Sequence, residues 1–524
     1  MLLMKKFGYL FLAMAALAMV GCGQKKQAAS VEVTPIMKKA LNDSSSIFFA
    51  NFGAYPSQRD SLPIGVFDSG TGGLTVLEVM LKADNMNNIT GALKPDGIPD
   101  FAGEDFEYLG DQANMPYGNY SSEGKDDYLR ELAVKDALFM LGNKYYTSNI
   151  EKNPKGEKKP VKIIVIACNT ATAYGLKDIQ HLLELSKTGV KVIGVINAGV
   201  NALFSELDKV KDKDSLSVGV MATVGTISSN AYARTIKEVA KAKHYKNYIE
   251  VVNQPGAGFA ESVDLEPDFV DPSLTEPRAT YRGPKMGTAP DDIKERLLSV
   301  YHFDFSNNHV LYKKEGGKYV EFQLNSAANY ARFHLVSLFD KLARSKKQAP
   351  LKSVILGCTH YPFLLDTLKE TINELRNYKV NGQPIYAHLI SPDFTFIDPA
   401  IFTAIECYQT LRQDKQLALR ARGGKLQAFI SVPYYLVKPE NLDKEGGLSY
   451  DFKFGRNPGT EDITTVFVPF SRTNIKKENL ERIQKLVPHC YEQIVKILEP
   501  ESADAKPAGA KPVGTKKVVK ANGC

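Results

Sequence analysis

Ile163-Ile164-Val165-Ile166-Ala167-Cys168-Asn169-Thr170 and Val354-Ile355-Leu356-Gly357-Cys358-Thr359-His360 are two versions of one pattern. Each is a short β-branched run, a small residue, then a cysteine followed by hydrogen-bonding side chains. A continuous apolar run of this length predicts a strand buried on both faces, as in a parallel sheet. The residues after each cysteine predict a helix start, with Thr170 as an N-cap and Pro362 in a first turn. After Pro362, Leu365, Leu368, Ile372 and Leu375 fall at helical spacing. Each thiol is thereby expected between the carboxyl end of a strand and the amino end of a helix. Open α/β sheets bind ligands there, and the helix dipole there favours a thiolate. One cysteine so placed is explained by burial of a small side chain. Two in matched settings, each followed by polar groups, point to chemistry.

Composition bounds the rest. With 524 residues the chain has length for two or three domains and a sizeable core. The formal charge of +7 sits at the ends, +5 in residues 1–40 and +3 in 501–524, so the 460 residues between carry −1. A near-neutral body has no electrostatic footprint for nucleic acid. Six cysteines in a chain this long are not a disulfide framework, and no CxxC or Cys/His spacing suggests zinc.

Repeated strand, small-polar loop and helix units predict an α/β, doubly wound architecture with parallel sheets. The first unit is Ile64–Phe67, ending in Asp68-Ser69-Gly70-Thr71-Gly72-Gly73. This loop lacks the third glycine of a dinucleotide fingerprint, and Asp68 would set a negative charge where a phosphate should lie. It suits a ligand with an ammonium group for Asp68 and a carboxylate for the loop N–H groups. An α-amino acid has both. Further units are Tyr108–Asp111 with Met115-Pro116-Tyr117-Gly118, Val192–Asn197, and Ser217–Met221 with Thr223-Val224-Gly225-Thr226. Residues 263–350 change character, with Pro-rich and charged segments around hairpin pieces, and read as an insertion. Residues 424–470 read as β-rich, and 474–498 as a terminal helix.

Lys5-Lys6 and the apolar run Phe7–Val20 form a secretory signal, too short for an ordinary membrane span. Met19-Val20-Gly21-Cys22 resembles a bacterial lipobox, whose cysteine is acylated and becomes the first residue. Acyl chains on Cys22 would hold the protein to a membrane at roughly 0.8 kcal/mol per buried CH₂. Residues 23–60 are expected to be a polar tether, and 501–524, rich in Ala, Lys, Pro and Gly, a disordered basic tail.

Together these motifs resemble glutamate racemase, of the aspartate/glutamate racemase superfamily. The resemblance is carried by Ile64–Val76, Leu109–Gly118, Ile163–Ala173, Val192–Ile196, Thr223–Tyr232 and Ile355–Pro362, in family order over residues 62–410. It implies two pseudo-symmetric α/β domains with the active site between them, one cysteine from each, and neither metal nor pyridoxal phosphate. Residues 61–195, completed by 391–500, would form the first domain, and 196–390 the second. By matching motif the resemblance implies Cys168 and Cys358 as acid/base thiols. Asp68 would assist Cys168, with His360 and Glu261 on the Cys358 side. Ser69, Tyr117, Gly118, Asn169, Thr170, Thr226 and Thr359 would hold the substrate. The chain departs from the family at Asn114, where a basic residue is common, at Gln254-Pro255, where Cys-Pro is common, and at Ala198, where proline is common. The insertion and the long β-rich C-terminal extension are also atypical.

Inverting an α-carbon takes its hydrogen from one face and returns a proton to the other, which two opposed groups can do without turning the substrate over. Each must serve as acid and base near the working pH, and a thiol at about 8.5 is closer than a hydroxyl. The implied activity is cofactor-independent interconversion of L- and D-glutamate, linked to peptidoglycan. The alternatives are a racemase for aspartate or another α-substituted acid, and a non-catalytic lipoprotein that binds amino acids or wall fragments. The expected partners are an amino acid and, through Cys22, the extracytoplasmic side of a bacterial membrane. A homodimer is left open.

Overall fold

A computed structural model describes residues 33–498, apart from 47, 209–214, 419, 421–422, 460–462 and 476. The signal segment, Cys22 and the tail from 501 lie outside the described residues.

The strands run in the order β1 (Ile64–Asp68), β2 (Phe106–Gly110), β3 (Ile163–Ile166), β4 (Lys191–Gly194), β5 (Leu216–Ala222), β6 (Ile249–Pro255), β7 (Val310–Glu315), β8 (Lys318–Leu324), β9 (Leu351–Gly357), β10 (Ile390–Ile397), β11 (Leu426–Pro433) and β12 (Thr465–Pro469). The main helices are α1 (Pro35–Asn42), α2 (Leu74–Lys82), α3 (Gly118–Ser122), α4 (Asp126–Leu141), α5 (Asn169–Ser186), α6 (Val195–Leu207), α7 (Val224–Ser228), α8 (Ala231–Ala242), α9 (Phe259–Val263), α10 (Ala327–Ala343), α11 (Leu365–Asn377), α12 (Pro399–Gln413), α13 (Lys477–Leu486) and α14 (Pro488–Leu498).

Among the described residues, two parallel sheets organise the fold. One has the order β12-β11-β2-β1-β3-β4, parallel except for β12, and the other is β10-β9-β5-β6, parallel throughout. Both cysteine runs are strands with every residue buried, as helices on both faces of a parallel sheet require. The chain crosses from the first sheet to the second after β4, through α6, and returns after β10, through α12. These two helices pack on each other, with Gly199 against Pro399.

Register then sets the site. Phe67 pairs with Ile166, so Asp68 at the end of β1 stands beside the turn that carries Cys168. Ala222 pairs with Gly357, so the loop at Thr223–Thr226 stands beside Cys358. A shift of one residue would turn every side chain of a strand to the opposite face.

Three details of the expected organisation change. Part of the tether is folded: α1 is capped by Thr34 and buries Ile36, Met37 and Ala40 in the core beneath α4. A fully buried side chain of that size contributes about 1.5–3 kcal/mol, enough to seat a short helix. The insertion is shorter than 263–350, because α10 covers β5 and β6 and is buried along nearly its whole length. Ahead of α10, the hairpin β7–β8 adds Val310, Phe322 and Leu324 to the same core. The β-rich C-terminal part is present as expected, and its strands join the first sheet. β11 pairs in parallel with β2, and β12 closes that edge antiparallel. Finally, β10 belongs to the second sheet, so the chain returns to the first domain after Ile397, beyond the expected 391.

Candidate active site

Cys168 is itself the N-cap of α5. Its backbone is extended (φ −81°, ψ 122°) and its Sγ accepts the Ala171 N–H at 3.4 Å. Sulfur thus takes the place usually held by a serine or aspartate oxygen. This corrects the expected cap, Thr170, which lies buried inside the first turn. The Cys168 thiol donates to Ser69 Oγ at 3.7 Å. Asp68 Oδ2 accepts the Gly73 N–H at 2.7 Å, which ties the glycine-rich loop back onto its own strand. Burial pushes the Asp68 carboxyl above the usual carboxylate range, against the pull of the Gly73 and Ser69 N–H groups, the Cys168 thiol and His360. Burial, then the Asp68 charge, pushes the Cys168 thiol up as well. The expectation of a dipole-stabilised thiolate therefore fails at Cys168. One helix N-terminus does not offset desolvation plus a carboxylate next door.

On the Cys358 side the neighbour is a histidine instead of a carboxylate. Pro362 lies in a short 3₁₀ turn, Tyr361–Leu364, that leads into α11, where Leu368, Ile372 and Leu375 are buried as the spacing predicts. His360 Nδ1 is 3.6 Å from Cys358 Sγ and 3.4 Å from Thr359 Oγ1, and its Nε2 is 3.1 Å from Asp264 Oδ1. Burial opposes a charged ring, but Asp264 and the Cys358 sulfur outweigh it and hold His360 well above the ordinary imidazole range. Burial likewise works against a charged Asp264, and His360 and Arg482 overcome it, keeping that carboxyl below its usual range. Glu261 lies within electrostatic reach of His360, and burial pushes it up. The carboxylate bonded to the ring is Asp264, which the sequence motifs do not single out. It stands three residues after Glu261, one helical turn on, and that spacing was the available signal.

The two halves meet at the glycine-rich loop. A Cβ built on Gly72 would lie 3.3 Å from His360 Cε1, 3.4 Å from Asp68 Oδ2 and 3.6 Å from Thr359 Oγ1. Groups from both cysteine units therefore surround one point, in close contact with any side chain that would replace this glycine. Tyr232, within reach of Cys358, donates to Asn169 Oδ1 at 2.8 Å and so links the two units a second time. At the far side α3 touches α7, where a Cβ on Gly225 would come 2.8 Å from Gly118 Cα. Cys168 and Cys358 are 7% and 6% exposed, so both thiols lie in the interior. A cavity of about 220 Å³ between the domains has Asn169, Cys358, Thr359, Lys82 and Asp398 on its wall. Cys168, one residue from Asn169, is not itself on that wall.

Two expected substrate contacts are otherwise engaged. The Tyr117 hydroxyl lies 2.5 Å from Asp111 Oδ2 and 2.7 Å from Asp136 Oδ2, buried away from the cleft. Burial pushes both carboxyls up, Asp136 furthest, so one of them carries the proton that the tyrosine accepts. Thr226, also buried, has its hydroxyl paired with Thr223 Oγ1 at 3.0 Å. Asn169 and Thr359 line the cavity, Ser69 lies against the Cys168 thiol, and Gly118 abuts Gly225. Asn114, which stands where the family commonly has a basic residue, accepts Arg456 Nη2 at 2.6 Å. The C-terminal part thus brings a guanidinium to this loop. Among the described residues, no group of three or more His, Cys, Asp or Glu side chains is placed to hold a metal ion, and no helix is long and apolar enough to cross a membrane.

No family model matches the chain. Sequence comparison finds a glutamate racemase from Oceanobacillus iheyensis, 28% identical over 311 residues, covering 59% of this chain and 72% of the relative. One from Clostridium novyi is 26% identical over 371 residues, covering 71% of this chain and 92% of the relative. Among solved structures, a glutamate racemase isoform from Bacillus anthracis is 23% identical with a TM-score of 0.40, covering 71% of this chain and 89% of that one. A glutamate racemase from Limosilactobacillus fermentum is 32% identical over 252 residues, 47% of this chain and 70% of the relative. With the paired cysteine units converging as described, that likeness establishes that the chain belongs to the glutamate racemase family.

Proposed function

We propose that the protein interconverts L- and D-glutamate without a cofactor, by proton transfer between Cys168, Cys358 and opposite faces of the substrate α-carbon. The observation that carries this reading is the meeting of Asp68 with His360 and Thr359 around Gly72, which puts one acid/base unit from each domain at a single point. The two units are tuned apart. Cys168, buried beside a carboxylate, starts with its proton on. His360, held cationic by Asp264, is placed to donate to the Cys358 sulfur, so Cys358 is the group poised to accept a proton. Cys358 takes the α-hydrogen while Cys168 delivers its own to the other face, and in the reverse direction the roles exchange. Asp68, raised by burial and within reach of the thiol, resets Cys168, and the His360–Asp264 pair resets Cys358. N–H groups of the Asp68–Gly73 loop face the charge that builds on the substrate carboxylate.

Purified protein given L-glutamate should lose optical rotation until the mixture is racemic, and in deuterated water the α-position should exchange in step with turnover. L- and D-aspartate, run in parallel, should turn over more slowly. Faster aspartate turnover would move the substrate assignment, and no change with any of the four would end the reading.

We propose further that the protein is lipid-anchored through Cys22 on the extracytoplasmic side of a bacterial membrane. What supports this is Met19–Cys22 behind a charged and apolar leader. Mass spectrometry of the amino-terminal peptide should find an acylated chain that begins at Cys22, and Cys22→Ala should release it from membranes. An unprocessed amino terminus would sink the proposal.

A further inference from the structure

The C-terminal helices lie beyond residue 410, where the motifs that carry the resemblance end, yet they reach the site. α14 is pinned to α2: Glu78 accepts the Cys490 N–H at 2.9 Å and lies 2.6 Å from His489 Nδ1, and the Cys490 thiol donates to Leu74 O at 3.4 Å. α13, held by this anchorage, directs Arg482 across the cleft. Arg482 Nη1 is 3.4 Å from Asp264 Oδ2, and its Nη2 donates to Thr71 Oγ1 at 3.2 Å. Thr71 belongs to the glycine-rich loop of the first domain. Asp264 follows α9 in the second domain and uses its other oxygen to hold His360.

We propose that Arg482 is a positioning residue for the Cys358 half of the site: its guanidinium ties Asp264 of one domain to Thr71 of the other. That tie fixes the Asp264–His360 pair behind the Cys358 sulfur and holds the domains at their closed spacing. The planar fork suits the task, because two donors on one rigid head serve two acceptors from different domains, which an ammonium on a flexible stem does less well. The other charged groups facing this cluster are Glu261, Glu266, Arg282 and Asp68. Three are acidic, so Arg482 also offsets charge that would otherwise loosen the pair.

The effect of this tie on turnover rests on the racemase reading, whereas the tie itself rests on geometry alone, and the test separates the two. In the full-length protein, Arg482→Gln should slow racemisation roughly tenfold or more, the loss expected when a charged hydrogen-bond partner is removed. The loss should fall on kcat more than on KM. The pH profile of iodoacetamide labelling at Cys358, read by peptide mass spectrometry, should shift to the alkaline side, because a cation has left the site. The melting temperature should stay within about two degrees of wild type, since the Arg482 side chain is partly exposed. Arg482→Lys should restore much of the labelling profile and less of the turnover. Identical labelling profiles in wild type and Arg482→Gln would overturn the proposal whatever the turnover, as would a turnover loss explained by an equal loss of stability. A wild type that racemises nothing, but whose Cys358 labelling follows Arg482, would end the functional reading and leave this one standing.

Discussion

Replacing either Cys168 or Cys358 with serine is expected to cut racemisation by roughly 10²- to 10⁴-fold, the range for removing a positioned acid or base. The loss must be equal for both enantiomers. L- and D-glutamate have the same free energy in achiral water, so kcat/KM for the forward and reverse directions cannot diverge in any variant. Serine is a stringent choice at Cys168 because it is a preferred N-cap. Its hydroxyl can accept the Ala171 N–H that the sulfur accepts now, so α5 keeps its start and the fold is spared. What is lost is acidity: a hydroxyl supplies neither a ready proton donor nor a base at neutral pH. At Cys358 the oxygen would still face His360 Nδ1, so the Asp264–His360 pair has no reason to move. Polarimetry on both enantiomers, with melting curves as a control for folding, decides the matter. Should either variant keep turnover within about threefold of wild type, the scheme of two opposed thiols is wrong.

The cysteine runs can be located from sequence because a buried parallel strand and the helix start after it leave local marks, β-branching on one side and polar groups on the other. Which atom caps the helix is not local information. Thr170 is the better cap by residue type, but the strand register brings the turn two residues earlier, and Cys168 takes the role. Charge at the site is equally hidden. Asp68 can be placed beside Cys168 from the motif, but the rise in both groups comes from burial that only the packed domains create. Asp264 escapes notice because Glu261 fits the family pattern and nothing in the spacing says which carboxylate reaches the ring. Arg456 and Arg482 are invisible as site residues, since both arrive from helical or edge segments more than 90 residues beyond Cys358. Residues 424–470 can be read as β-rich, but their place beside β2 is long-range information of the same kind. Alternation marks a strand but not the sheet it joins. In α1 the cue is too slight, three buried residues in a stretch whose composition is polar.

The largest stability effect is expected far from the cleft, at Lys158 and Glu107. Lys158 Nζ lies 2.7 Å from Glu107 Oε1, with both side chains fully shielded from solvent. Burial lifts the Glu107 carboxyl to about 7 even though the lysine pulls it down, and burial likewise lowers Lys158. Glu107 sits on β2 in the middle of the first sheet, and its Oε2 has no hydrogen-bond partner, so all its compensation comes from one ammonium. Lys158→Met removes that partner while the methionine fills most of the same space. The cost is expected to grow above about pH 7 toward about 3–5 kcal/mol, the penalty for a buried charge left alone. Its sign with pH is fixed. Without the lysine, the folded-state carboxyl is raised further above its unfolded value of about 4.3. The variant is therefore penalised little below that value, where the group is protonated in both states, and more as the pH rises through 7. Below about 7 Glu107 is protonated in the folded wild type as well and the unpaired charge falls on Lys158, so the gap between the two proteins should close or invert there. Adding Glu107→Leu to Lys158→Met should recover most of the loss at mildly alkaline pH, because an apolar pair of similar volume is about as stable as the ion pair. Urea melts of wild type, single and double variants at mildly acid and mildly alkaline pH test all three statements. A single variant whose deficit does not grow with pH would show that Glu107 is neutralised by something other than Lys158.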